Sequence, residues 1–223
     1  MSVEETFLFI IEVVGTIAFA ISGIRLAAVK RFDWFGAYTV GLVTAIGGGT
    51  LRDVLLDIPV FWMQTGVYLA VTGISLATVV VFRKVLVSHD RALFIFDAIG
   101  LALFVVIGIQ KTLAVGYPMW VAVVMGTITG SFGGVVRDIL INEEPLFFRK
   151  DIYATACMAG GVAYWLIDVL GGGMIVQQSA CAVTVIGLRV CALRFNWSLP
   201  VLSYEPAEKE LQRPKEEKGH RGR

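Results

Sequence analysis

Residues 47–53 read GGGTLRD, and residues 132–138 read FGGVVRD. These two stretches decide the fold, because the chain repeats itself around them at a constant offset of 85 residues. Gly48 falls on Gly133, Gly49 on Gly134, Arg52 on Arg137 and Asp53 on Asp138. Further out, Gly15 falls on Gly100, Phe19 on Phe104, Gly23 on Gly108, Gly41 on Gly126, Thr44 on Thr129, Leu55 on Leu140 and Tyr68 on Tyr153. Glu12 falls on Asp97, acid on acid. A gap-free match over about sixty residues marks an internal duplication rather than chance composition.

The chain around these motifs is 57% apolar and 17% charged, with a mean hydropathy of +0.76. A soluble domain of this size carries roughly a quarter charged residues. The apolar residues here form long blocks, which predicts an integral membrane protein folded as one bundle. The net charge of +1 gives no signal for nucleic acid. Cys157, Cys181 and Cys191 fall inside apolar segments, without metal spacing or a disulfide framework. They read as small buried residues. The N-terminal MSVEE and the apolar run after it lack a basic region and a cleavage site, so they read as a first span.

A span needs about 20 mostly apolar residues. Seven candidates appear, at about 6–26, 34–56, 65–83, 92–110, 118–141, 151–169 and 174–193. The expected fold class is all-α integral membrane: two inverted three-helix repeats plus one extra helix. Repeat one covers about 6–83 and repeat two about 92–169, within a membrane domain of residues 1–195. An odd number of spans per copy turns the second copy over in the bilayer, the plan by which many membrane proteins build a path for a small solute. Residues 196–223 form a polar tail whose mixed charge cannot bury apolar surface, and disorder is expected there. Lys30, Arg31, Arg83, Lys84, Arg91, Arg149, Lys150, Arg194 and the tail fall on one side, and little beyond Lys111 on the other. The positive-inside rule then predicts an outside N-terminus and a cytoplasmic C-terminus. Trp34, Trp62 and Trp120 stand at span ends and read as interfacial anchors. His89, His220 and Asp168 read as solvated.

Spans two and five carry the chemistry. Each glycine in a helix costs about 1 kcal/mol relative to alanine. Gly47, Gly48 and Gly49 lie near the middle of span two, and Gly133 and Gly134 at the matching depth of span five. These spans are expected to break there. Freed backbone groups survive in lipid only where protein or water satisfies them, so a break implies a water-filled cavity. Close helix packing is the alternative use of such glycines. Arg52, Asp53, Arg137 and Asp138 sit inside apolar spans, each costing about 2.5–3.5 kcal/mol on insertion scales. Neighbouring helix residues do not face each other, so Arg52 is not expected to neutralise Asp53. Depth instead predicts that Arg52 approaches Glu12 and Arg137 approaches Asp97. Ion pairs that only fix helix register are the structural alternative.

A break presents helix N-termini, which favour anions, and freed carbonyls, which favour cations. Thr44, Thr127, Thr129 and Ser131 add hydroxyl oxygens suited to a hydrated monovalent ion. Transient monovalent ions are expected at the Gly47 and Gly133 backbone. No resident metal is expected, because no carboxylate cluster is built as a calcium cage. These residues permit a cation pore or a small-zwitterion site. No nucleotide, nucleophile or zinc-protease motif is present, so no enzyme is expected. No cofactor is expected beyond bound monovalent cations or lipid.

With two GG-x-x-R-D motifs in an inverted plan, the chain resembles the bacterial branch of the trimeric intracellular cation channel (TRIC) family, whose domains are also catalogued as glycine-transporter-type. The resemblance covers about residues 5–195. It implies a homotrimer in the bacterial inner membrane, each subunit holding its own pore for monovalent cations, chiefly potassium. Gly47, Gly48, Gly49, Arg52 and Asp53 would form one kink of that pore. Gly133, Gly134, Arg137 and Asp138 would form the other. Phe132 stands where the first copy has Gly47, which implies a tighter second kink. Eukaryotic relatives carry a lysine near the second motif that helps bind a phosphoinositide; this chain has Val135 and Val136 there. Two other readings stay open: a secondary transporter of a small zwitterion such as glycine, and a bundle that organises membrane partners. The Gly15–Phe19–Gly23 spacing and its copy predict that spans one and four lie near a subunit interface.

Overall fold

The computed structural model describes residues 3–87 and 90–200. His89 and the tail beyond residue 200 therefore lie outside the described residues. The chain forms eight helices within that range: α1 (Val3–Val29), α2 (Trp34–Leu55), α3 (Val67–Val81), α4 (Arg83–Leu86), α5 (Asp90–Ala114), α6 (Met119–Leu140), α7 (Ala154–Val169) and α8 (Met174–Phe195). A 3₁₀ turn, Phe61–Met63, follows α2. Apart from the four-residue α4, each helix matches one expected span.

α1, α5, α6 and α8 are long and apolar enough to cross a membrane. α3 and α7 are shorter apolar helices. In α2 glycine and threonine dilute the apolar character, though it has 22 residues. Ile74, Val81, Ile175 and Val183 point outward, each more than three-fifths exposed. Apolar residues on both the inside and the outside of a helical bundle are the pattern of a protein solvated by lipid.

The helix ends repeat as the sequence does. After α1 the chain turns through Arg31 (φ 62°), and after α5 through Gly116 (φ 97°), its partner in the duplication. After α2 it turns through Asp57 (φ 54°), and after α6 through Asn142 (φ 56°). Each is a left-handed C-terminal cap. Ile58 N donates to Asp53 O at 3.0 Å, and Glu143 N to Asp138 O at 2.8 Å. α2 begins at Asp33, whose carboxylate accepts from Gly36 N at 2.6 Å.

The interior packs by the same near-symmetry. α1 lies against α2 and α5, α5 against α6, and α2 against α6. The Phe19 and Phe104 rings stack at 5.2 Å in the middle of the bundle. A Cβ on Gly15 would meet Phe104 at 3.1 Å, and one on Gly100 would meet Phe19 at 2.3 Å. The small and aromatic residues of spans one and four therefore join those spans to each other. Those residues are spent on packing inside the subunit, while Ile10 and Val14 of α1 and Ile95 of α5 stay exposed on its surface. α3 rests on α1, α7 on α6, and α8 on α7 and α5. Cys157 and Cys181 are buried and Cys191 is half-buried, in keeping with their small size. Trp34 and Trp120 are exposed at the starts of α2 and α6. Trp62 instead donates to Thr50 Oγ1 at 2.9 Å and packs inward.

Only glycine adopts a left-handed cap without a Cβ penalty. Asn142→Gly should raise the thermal midpoint of the detergent-solubilised protein, and Asn142→Val should lower it by about 1 kcal/mol of stability. Differential scanning of the three proteins checks the order.

Candidate functional site

α2 and α6 cross at the duplicated motif, and both run through it without interruption. The expected break is absent. A Cβ on Gly48 would lie 2.0 Å from the Thr129 carbonyl oxygen, and one on Gly133 would lie 2.2 Å from that of Thr44. The glycines thus let each helix lay its backbone on the other's carbonyls. Close packing is the use the structure makes of them, and the half-helix dipoles expected at a break do not arise. Gly49 packs on the Phe61 ring and Gly134 on the Tyr153 hydroxyl. Gly47 faces outward, towards an almost wholly apolar cavity of about 390 Å³ between Val43, Trp62, Phe132 and Val136.

The hydroxyls follow the helices rather than a cavity. Thr44, Thr127, Thr129 and Ser131 each donate to the carbonyl four residues earlier, at 2.6–3.0 Å. Thr44 packs over Gly23 and Thr129 over Gly108. Their donors are used up, and only their lone pairs remain for a cation.

Beyond the crossing, each helix ends in a buried charge cluster. In the first, Arg52 Nε donates to Asp53 Oδ1 at 2.7 Å. The other Asp53 oxygen accepts from Phe61 N at 2.9 Å, which fixes the connection after α2. Glu12 accepts from the Tyr68 hydroxyl at 2.8 Å and from Lys111 Nζ at 2.9 Å, with Arg52 at 4.0 Å. The Arg52 and Lys111 cations stand over Phe61 at 5.7 and 5.2 Å.

The second cluster is built alike. Arg137 Nε donates to Asp138 Oδ1 at 2.8 Å, and Leu146 N to Asp138 Oδ2 at 3.1 Å. Arg137 Nη1 donates to Asp97 at 2.6 Å and to Ser22 Oγ at 2.8 Å. The Tyr153 hydroxyl and Arg189 Nη2 each reach Asp97 at 3.5 Å. This cluster faces the end of the bundle that holds Lys30 and Arg149, through a cavity of about 250 Å³. Lys30 hydrogen-bonds Glu143 at that rim and holds its carboxyl below the ordinary value.

The expected pairing of Arg137 with Asp97 is present, and Arg52 lies near Glu12 more loosely. The expectation that neighbouring Arg and Asp do not pair is overturned in both motifs. A guanidinium on a flexible stem can fold back along its own helix. At full burial that geometry is far better than an uncompensated charge. Ser22 explains the difference between the halves, since its counterpart is Ile107. Arg137 gains a third ligand, whereas Arg52 Nη1 has no hydrogen-bond partner among the described residues.

Four contributors escaped the sequence reading: Tyr68, Tyr153, Lys111 and Arg189. The tyrosines are matched by the duplication, which was a usable signal. Arg189 is an ionisable residue in the last apolar span, the same signal that singled out Arg52. Lys111 was read as a loop charge. Each duplicated motif holds two carboxylates and one guanidinium, a net charge of −1. Lys111 neutralises one and Arg189 the other. Neither cation is part of the duplication: Lys111 falls opposite Leu26, and α8, which carries Arg189, has no copy.

Comparison with known proteins follows the same division. The family model described as "Glycine transporter" matches twice, over residues 9–84 and 94–169, at the offset of the duplication. The UPF0126 inner membrane protein YadS of Escherichia coli (strain K12) is 39% identical over 201 residues, covering 87% of this chain and 96% of YadS. The UPF0126 membrane protein YvgT of Bacillus subtilis (strain 168) is 35% identical, with the same coverage of 87% and 96%. The TRIC trimeric intracellular cation channel orthologue from Rhodobacter sphaeroides superposes with a TM-score of 0.81 at 32% identity, over 86% of this chain and 99% of that one.

Gly48→Ala and Gly133→Ala should each lower the thermal midpoint, by about 1–3 kcal/mol of stability, because a methyl would meet a backbone carbonyl and push α2 and α6 apart. Gly47→Ala, whose methyl would sit 3.6 Å from Gly133 Cα, should be near neutral. Equal effects at the three positions would show that the crossing is looser than described.

Proposed function

Because this chain belongs to the glycine-transporter-type membrane family that includes the TRIC cation channels, we propose that it is a channel for monovalent cations, chiefly potassium. One observation carries the reading. Each half buries a motif of net charge −1 whose balancing cation comes from outside the motif. A site balanced by a tethered amine is a site that a mobile cation can occupy when the amine leaves. In the first cluster Lys111 is that amine, with 28% of its side chain accessible above the buried Glu12.

In this reading the path runs past both clusters, along α2 and α6. The crossing at Thr44–Gly48 and Thr129–Gly133 is its closed point. Opening separates the two backbones by a small distance, which the glycines allow because no side chains interlock there. Gly47, Gly48, Gly49, Gly133 and Gly134 at that crossing then expose carbonyls to the ion. The seven apolar helices are two inverted three-helix repeats plus α8, with the N-terminus outside and the C-terminus in the cytoplasm. The assembly is a homotrimer in the bacterial inner membrane, one path in each subunit. The protein is a conductor and not a catalyst.

The description of the matching family model favours one second reading, carriage of glycine. A zwitterion would place its ammonium at Glu12 and its carboxylate at Arg52, the two groups left 4.0 Å apart.

Planar-bilayer recording of the purified protein in asymmetric KCl tests the proposal. Currents should reverse near the potassium potential and change in Arg52→Ala and Arg137→Ala. Lys111→Gln should raise the steady current severalfold, because it removes the amine that competes with a mobile cation at Glu12. Electrical silence, together with saturable uptake of labelled glycine into proteoliposomes, would transfer the assignment to a transporter.

A further inference from the structure

Asn196 ends α8 in a left-handed conformation (φ 52°) and turns the chain back on itself. The returning strand pairs with the connection before α7: Asp151 and Ser198 form an antiparallel bridge, and Leu199 N donates to Lys150 O at 2.8 Å. This fold-back closes one wall of a cavity of about 530 Å³ between the start of α5 and the end of α8. Its floor is Arg189, whose side chain is 6% exposed. The guanidinium is sandwiched between the Phe94 and Tyr153 rings, at 4.9 and 4.8 Å. Nη1 donates to Ile152 O at 3.2 Å and Nη2 to Asp97 at 3.5 Å. Nε has no hydrogen-bond partner among the described residues.

Lys150 lines the mouth of the same cavity, and its amine has no ion pair among the described residues. Neither carboxylate present bonds Nε or the Lys150 amine. Asp97 accepts from Arg137 at 2.6 Å and meets Arg189 only at Nη2. Asp151 stands at the rim, half-exposed. The remaining wall is apolar: Leu93, Leu146 and Leu193. Trp197, half-exposed and stacked on Phe195, marks the mouth. A tryptophan at the end of an apolar helix lies at headgroup depth.

We propose that this cavity binds a net-anionic phosphate group, with Arg189 Nε and Lys150 Nζ as its donors. A buried planar guanidinium with an unpaired N–H and an exposed ammonium lining the same cavity form a pair suited to phosphate oxygens. The apolar wall receives the body of an anionic lipid, whereas a soluble phosphate would use the donors alone. The site lies apart from Val135 and Val136 on α6, and its occupancy does not depend on whether the protein conducts.

Native mass spectrometry of the full chain in neutral detergent tests this. The probes are phosphatidylglycerol, phosphatidylcholine as the zwitterionic control, and inorganic phosphate. Phosphatidylglycerol should bind more tightly than phosphatidylcholine. Lys150→Gln, an exposed substitution that leaves the fold intact, should weaken it by about threefold. Arg189→Lys, which keeps the charge and loses the Nε donor, should weaken it by about tenfold. Asp151→Asn should tighten it. Binding of inorganic phosphate with the same dependence on Lys150 would place the source in solution; binding of the lipid alone would place it in the bilayer. Either keeps the site. Affinities unchanged in both Lys150→Gln and Arg189→Lys, or equal for the two lipids, would overturn it.

Discussion

A charge buried in an apolar bundle has to be neutralised where it stands, and that constraint organises this molecule. Arg52 and Arg137 are among its largest fully buried side chains. Each costs several kcal/mol to bring out of water, and breaking a buried pair costs about 3–5 kcal/mol. The chain answers with short bonds from the guanidinium to the next residue along the helix. It then uses the spare carboxylate oxygen to hold the following segment, through Phe61 N and Leu146 N. The same ion pair thus anchors both a helix end and a connection. Helix, turn and charge cluster are one mechanical unit, present twice.

The glycines solve a second problem created by the first. Two helices that end in buried charge have to approach closely enough to share partners from α1 and α5. Side chains at positions 48 and 133 would hold α2 and α6 apart, as the contact with Thr129 and Thr44 carbonyls shows. Backbone contact also leaves few interlocking side chains at the crossing. A surface of that kind is held by proximity more than by shape, so modest helix movement there disturbs little else. In the proposed channel this is where a closed and an open arrangement differ.

The duplication was legible because the sequence repeats without gaps, and the helices because apolar blocks mark them to within a few residues. The Arg137–Asp97 pair was legible from depth alone. Other features depended on geometry that sequence spacing does not carry. Consecutive residues point in different directions on a helix, but the arginine stem is long enough to cancel that difference. A run of glycines does not say whether a helix opens or packs. The answer lay in the partner helix, whose own glycines stand opposite. Trp62 was misplaced for a related reason, because its indole found Thr50 inside the bundle. Arg189 could have been found, since one charge in the final apolar span carries the same cost as one in the second.

The partners of the two central carboxylates are far apart along the chain, which has a consequence for biosynthesis. Glu12 is made 99 residues before Lys111, and Asp97 is made 92 residues before Arg189. At ordinary rates of translation each motif keeps an unbalanced charge for on the order of ten seconds, until its outside cation leaves the ribosome. During that time the excess charge has to stay in touch with water. The first repeat cannot settle alone, because its cation arrives with the second; the second cannot settle until α8 is inserted. The duplicated halves look self-contained in sequence, yet the smallest unit able to mature in the bilayer is the whole bundle.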